Sequence, residues 1–89
     1  MKKIFCELHI FDLEQKVYMI DDETGKRDIV AIVVAEELPA TISALSSEKQ
    51  ISNVVLSGNF IYSSLISEDI IAYSKLHYNN NEIKVEVLK

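Results

Sequence analysis

From residue 3 to residue 11 the chain alternates in polarity. Ile4, Cys6, Leu8 and Ile10 fall on one side and Phe5, Glu7, His9 and Phe11 on the other, which predicts a β-strand. Asp12-Leu13-Glu14-Gln15 reads as a turn, and Val17–Ile20 as a second strand returning antiparallel to the first. The strongest turn signal is Asp21-Asp22-Glu23-Thr24-Gly25-Lys26, with Gly25 free to take positive φ. The seven apolar residues Ile29–Ala35 predict a third strand; a helix is the alternative, because so short a run does not discriminate by period.

Pro39 suits a first helical position, where a missing N–H costs nothing. Leu38, Ile42 and Leu45 recur at helical spacing, with Ala40 and Ala44 beside them, and predict a helix over 39–48. Glu36 and Glu37 precede it and favour the positive end of its dipole. Ile51–Leu56 contains Val54-Val55-Leu56, apolar on both faces, as in a buried central strand; Ser57-Gly58-Asn59 breaks it. A second helix is expected to begin at Ser67, an N-cap followed by Glu68 and Asp69. Ile66, Ile70, Tyr73 and Leu76 would form its inner side, and Asn79-Asn80-Asn81 would stop it. Over 82–89, Ile83, Val85 and Val87 alternate with polar positions as in a one-faced or edge strand. The order β-β-β-α-β-α-β predicts an α/β (α+β) fold with a single mixed five-stranded sheet, formed by one domain over residues 1–89.

Composition narrows the class. With 48% hydrophobic and 26% charged residues, the 89-residue chain supports a packed core rather than disorder. A net charge of −5 argues against a phosphate-binding surface, and the adjacent basic pairs Lys2-Lys3 and Lys26-Arg27 make no patch. Cys6 is the sole cysteine, so an intrachain disulfide and a thiolate metal cluster are both excluded, which suits a reducing compartment. Glu7 falls where a leader's apolar region would run, and the 29–35 run is far short of the ~20 residues that span a bilayer. The expectation is a cytoplasmic protein with neither membrane nor nucleic acid as partner.

The order of elements resembles that of the ribonuclease-H-like superfamily, shared with actin-like ATPase subdomains. The resemblance spans nearly the whole chain and implies that the first and fourth strands lie parallel at the sheet centre. Ile4–Ile10 and Val54-Val55-Leu56 would fill those slots, with the third and last strands at the edges. Nucleases of that superfamily hold divalent metal with carboxylates from the first strand, the first helix and the end of the fourth strand. Glu7 and Glu48 could supply two, with Asp12 nearby, but the fourth strand ends Leu56-Ser57-Gly58-Asn59 without an acid. Its ATPases cradle phosphate on glycine-rich turns; the turn after the first strand has no glycine, and only Ser57-Gly58-Asn59 is similar to a phosphate turn. The resemblance therefore implies a member without catalysis, with no catalytic residue, cofactor or metal expected.

The remaining reactive residues read as structural. His9 and His77 look like boundary histidines, although a shared metal or base site is conceivable. Cys6 and His9 stand three apart on a strand and point to opposite faces, so Cys6 is a small core residue. Asp21-Asp22-Glu23 lacks the spacing of a calcium loop. Phe60, Tyr62, Tyr73 and Tyr78 have no interleaved Lys or Arg, as base-stacking surfaces do, and suit core packing or a protein interface. The feature left unhoused is Ile29–Ala35, an apolar strand expected at an edge, where natural proteins place charges; either a second copy or partner covers it, or the stretch is a central strand or buried helix and the topology differs. The function expected is a non-catalytic protein-interaction module, self-associating as a homodimer or binding another protein through Ile29, Ala31, Val33 and Ala35. Two alternatives stand beside it: a metal-dependent nuclease or phosphoryl-transfer enzyme using Glu7, Glu48 and Asp12, and an acidic protein occupying the basic surface of a nucleic-acid-binding partner.

Overall fold

The computed structural model describes residues 1–88. Its elements are β1 (Lys2–Leu8), β2 (Glu14–Asp21), β3 (Arg27–Val34), a 3₁₀ turn (Ala35–Glu37), α1 (Leu38–Lys49), β4 (Asn53–Gly58), α2 (Phe60–Tyr78) and β5 (Lys84–Leu88). The strands form a single mixed sheet in the order β3-β2-β1-β4-β5, an α+β architecture. β2 runs antiparallel to both β1 and β3, whereas β4 is parallel to β1 and to β5. One end of the sheet therefore gathers the carboxyl ends of β1, β3, β4 and β5 and the start of both helices. The opposite end gathers the β2–β3 turn and both helix C-termini.

Strand alternation builds the core. Ile4, Cys6 and Leu8 of β1, Val17 of β2 and Val54 and Leu56 of β4 are buried in one cluster with Leu38 and Ile42 of α1 and Ile66 and Ile70 of α2. Both helices thus pack on the same face of the sheet. The intervening residues Lys3, Phe5 and Glu7 project to the other face, which no helix covers. Central β4 has Val54, Val55 and Leu56 all buried, as its two-faced apolar run predicts.

The helices meet across small side chains. Ser74 Oγ donates to Ser43 Oγ at 2.8 Å, and Ser43 Oγ donates to the Ile70 carbonyl at 3.2 Å, both bonds fully buried. Hydroxyls at this separation require backbones closer than Leu or Ile at the same positions would permit. Ser63, on the first turns of α2, is buried with no hydrogen-bond partner for its Oγ.

Several boundaries differ from the sequence reading. β1 ends at Leu8 rather than continuing to Phe11, so Ile10 and Phe11 leave the strand and are exposed. The cause lies in β2: the buried Gln15 accepts from the His9 N–H at 2.9 Å and donates from Nε2 to the His9 and Asp12 carbonyls at 2.9 and 3.1 Å. Gln15 thereby folds residues 9–12 into a turn and belongs to a strand that already begins at Glu14. β4 runs through Ser57 to Gly58 instead of breaking there. α2 begins at Phe60, not Ser67, because Asn59 Oδ1 accepts from the Tyr62 N–H at 3.1 Å as the N-cap, while Ser67 lies buried within the helix. The 29–35 run is a strand, which removes the helical alternative.

Gly58 shows why the β1–β4 pair needs a glycine. Its φ is +145°, and a Cβ there would stand 2.4 Å from the Leu8 carbonyl oxygen. Replacing Gly58 with Ala should lower the unfolding free energy by about 2 kcal/mol or more. Ser63→Ala, by contrast, removes a buried hydroxyl that has no partner and should raise it by about 1 kcal/mol. Urea unfolding of the two variants checks both signs; an unchanged midpoint for Gly58→Ala contradicts the close approach.

Candidate functional site

The groups able to carry chemistry are dispersed. Glu7 lies on the helix-free face at the end of β1, whereas Glu48 lies in the last turn of α1, at the opposite end of the molecule. The two carboxylates that a two-acid metal site would use therefore do not meet. Glu7 Oε1 instead lies 3.7 Å from His9 Nε2, both side chains more than half exposed. Asp12, Glu14, Lys16 and Tyr18 join them along a small cleft of about 170 Å³. His77 is remote from this cleft, its ring 4.1 Å from Tyr73 near the end of α2. Among the described residues, no three of His, Cys, Asp and Glu come together in a way that could hold a metal ion.

Cys6 is sealed in the core, and burial first, then the neighbouring Glu7 carboxylate, pushes its thiol from near 9 up to about 12. It carries no thiolate at neutral pH and faces the helices, away from His9. The carboxylates of the β2–β3 turn are committed locally. Asp21 Oδ1 accepts from the N–H groups of Glu23 and Thr24, which holds its carboxyl below the usual range. Asp22 pairs with Lys3 at 3.4 Å, and Glu23 lies 3.9 Å from the N-terminal amine. Ser57-Gly58-Asn59 serves β1–β4 packing and the α2 N-cap, both described above, rather than a glycine-lined cradle.

What the surface does present is apolar. β3 is an edge strand, paired on one side only. Its pairing with β2 shifts register between Val17 and Tyr18, so Ala31 faces Val17 while Ile29 faces Tyr18, leaving Val30 as an extra residue. The four residues expected to share one interface consequently divide. Ala31, Val33 and Ala35 pack half-buried against the core on the helix side. Ile29 turns with Ile32 and Val34 to the helix-free face, Ile29 54% and Ile32 51% exposed. Beside them on that face lie Tyr18 and Phe5, 6.4 Å apart between ring centroids, with the Arg27 guanidinium 5.6 Å above the Phe5 ring.

A second apolar surface lies on α2 and inverts the ordinary arrangement. Ser63, Ser67 and Ser74 point inward with Ile66 and Ile70, whereas Ile61, Leu65, Ala72 and Leu76 recur on the opposite side. Ile61 is 71% and Leu76 79% exposed; the inner position expected for Leu76 is thus corrected, since α1 admits only small side chains at that crossing. Tyr62 and Tyr73 are half-buried flanks of the same helix. At the adjoining end of the sheet, Ile10, Phe11 and Leu13 stand on the β1–β2 turn, Phe11 96% exposed. Neither stripe nor turn was legible beforehand, because Ile10 and Leu76 each fit an inward phase. An all-round apolar helix with internal serines was the one available signal for the stripe.

No family model matches the chain, and no curated protein does. Among the described residues, no helix is long and apolar enough to cross a membrane.

The buried thiol gives a direct check on Cys6. It should react with an aromatic disulfide at pH 8 only after unfolding in urea. Because its proton is held more tightly in the fold, its contribution to stability is complete below pH 9 and declines as pH rises from 9 toward 12. Relative to Cys6→Ala, the wild-type chain should lose more stability between pH 8 and pH 10.5; equal losses would contradict the assignment.

Proposed function

We propose that this chain is a non-catalytic, cytoplasmic protein-interaction module that self-associates, built on a ribonuclease-H-like arrangement of strands without that superfamily's chemistry. The observation that carries this reading is the placement of large apolar side chains in solvent on elements that also have small or polar ones available. Ile29 and Ile32 on β3, and Ile61 and Leu76 on α2, are each more than half exposed. Single exposed apolar residues are ordinary, but contiguous ones on an edge strand and along a helix mark surfaces that bind something. The separation of Glu7 from Glu48 leaves the nuclease reading without its paired acids. The basic-partner reading leans on Asp21, Asp22 and Glu23, and these three carboxylates are engaged within the β2–β3 turn and its neighbours.

Light scattering at high micromolar concentration should give a species of at least twice the 10.1 kDa chain mass. Ile32→Lys, at an exposed position where the substitution spares the core, should shift that species toward monomer without changing the circular dichroism spectrum. Val33 is a poorer probe, since it packs against the core. A wild-type chain that stays strictly monomeric at such concentrations would remove self-association from the proposal.

A further inference from the structure

Resting on the interaction-module reading above, though not on self-association, we infer that the groove between the start of α1 and the outer side of α2 receives an apolar side chain from a helical segment of another protein, flanked in that segment by Lys or Arg.

Helix packing makes the groove. Pro39 and Ala40 of α1 form one wall and Ala72, Tyr73 and Leu76 of α2 the other, around a volume of about 380 Å³. Ala40 and Ala72 are short, so a third backbone can come close where they lie. The α2 wall continues beyond the groove. Leu65, Asp69, Ala72 and Leu76 recur at i, i+4, i+7 and i+11, one stripe along the helix axis about 16 Å long. Leu65 is 58% and Leu76 79% exposed. A stripe of this kind beside a groove is the shape that an amphipathic helix fills, with apolar anchors at matching spacing.

Charge selects the occupant. The only charged groups lining the groove are carboxylates, one on each wall: Glu36 in the 3₁₀ turn ahead of α1, and Asp69 on α2. Among the described residues, neither belongs to a salt bridge. Lys75 falls about 120° around α2 from Asp69 and does not line the groove. An apolar side chain that enters between two unpaired carboxylates brings its neighbours in sequence beside them. Lys or Arg at those positions gains an opposite charge, whereas Asp or Glu meets a like one. A second copy of this chain fits less well. Its α2 offers one lysine, Lys75, beside Leu76, together with Glu68 and Asp69, and each copy adds a net charge of −5. Its β1–β2 turn sets Asp12 and Glu14 among the exposed Ile10, Phe11 and Leu13.

Selection from a phage-displayed library of random peptides, each of about 16 residues and so about four helical turns, tests the groove against the full 89-residue chain. Enriched peptides should carry Leu, Ile, Phe or Met at helical spacing, with Lys or Arg beside one of them. Two variants with equal changes of charge then locate the site: Glu36→Lys/Asp69→Lys in the groove, and Glu14→Lys/Glu86→Lys on the helix-free face. All four side chains are exposed, and both circular dichroism spectra should match wild type. By fluorescence anisotropy, the synthetic peptides should bind the groove variant about tenfold or more weakly than wild type, and the other variant within about threefold. Equal losses for the two variants mean general attraction to an acidic protein and overturn the inference. So does undiminished binding to the groove variant, or a selection that enriches no peptide. If the groove variant turns wild-type dimers into monomers in light scattering, a second copy occupies the groove and the heterologous helix is wrong. A failed selection beside a dimeric wild type refutes the groove and leaves the interaction-module reading standing. Basic peptides selected by a monomeric wild type, and lost with the groove variant, support the groove and refute self-association alone.

Discussion

Inside the molecule, the hydroxyls of Ser43 on α1 and Ser74 on α2 meet at 2.8 Å, and much of the surface follows from that contact. Two helices can approach so closely only if the crossing is lined by small residues, and a buried hydroxyl is tolerated there only when it is bonded. Ser74 donates to Ser43, and the Ser43 hydroxyl donates in turn to the Ile70 carbonyl. With serines taking the inner positions of α2, its larger apolar residues Ile61, Leu65 and Leu76 are left on the outside. Two helices of 12 and 19 residues, packed side by side on one face, leave the opposite face of a five-stranded sheet without cover.

The same economy accounts for the scattered chemistry. Carboxylates are spent on turns, as with Asp21, or on loose contacts with nearby cations, as with Asp22 and Lys3. The histidines lie in different regions, one beside Glu7 and the other against Tyr73. A catalytic centre concentrates titratable groups in a cleft where burial and neighbouring charges perturb them. Here the largest perturbation falls on Cys6, a thiol enclosed by aliphatic side chains, where burial makes it inert. The cleft around Glu7, Asp12 and Glu14 is small, about 170 Å³, and the surface that is out of the ordinary is apolar.

Several elements were legible in the residues themselves. The alternation of Ile4, Cys6 and Leu8, the two-faced run Val54-Val55-Leu56 and the β-branched run from Ile29 to Val34 all became strands in the expected order. The helix starting beside Pro39 lies within two residues of its expected limits. What misled was continuity of pattern. Ile10 and Phe11 continue the phase of β1, yet Gln15, six residues beyond His9, supplies the hydrogen bonds that turn the chain away. Ser67 with Glu68 and Asp69 imitates a helix start, but Asn59 caps α2 two turns earlier.

Local patterning by itself determined the expected order of elements, the exclusion of an intrachain disulfide and the acidic balance of the chain, since each depends on residue type and spacing along a short stretch. Tertiary structure alone decided which side of α2 and of β3 faces water. The inward serines of α2 and the division of Ile29 from Ala31 both arise from a neighbouring element, α1 in one case and the irregular β2 pairing in the other. Burial is settled by what packs opposite a residue, and a chain read one position at a time carries no record of its neighbour across the fold.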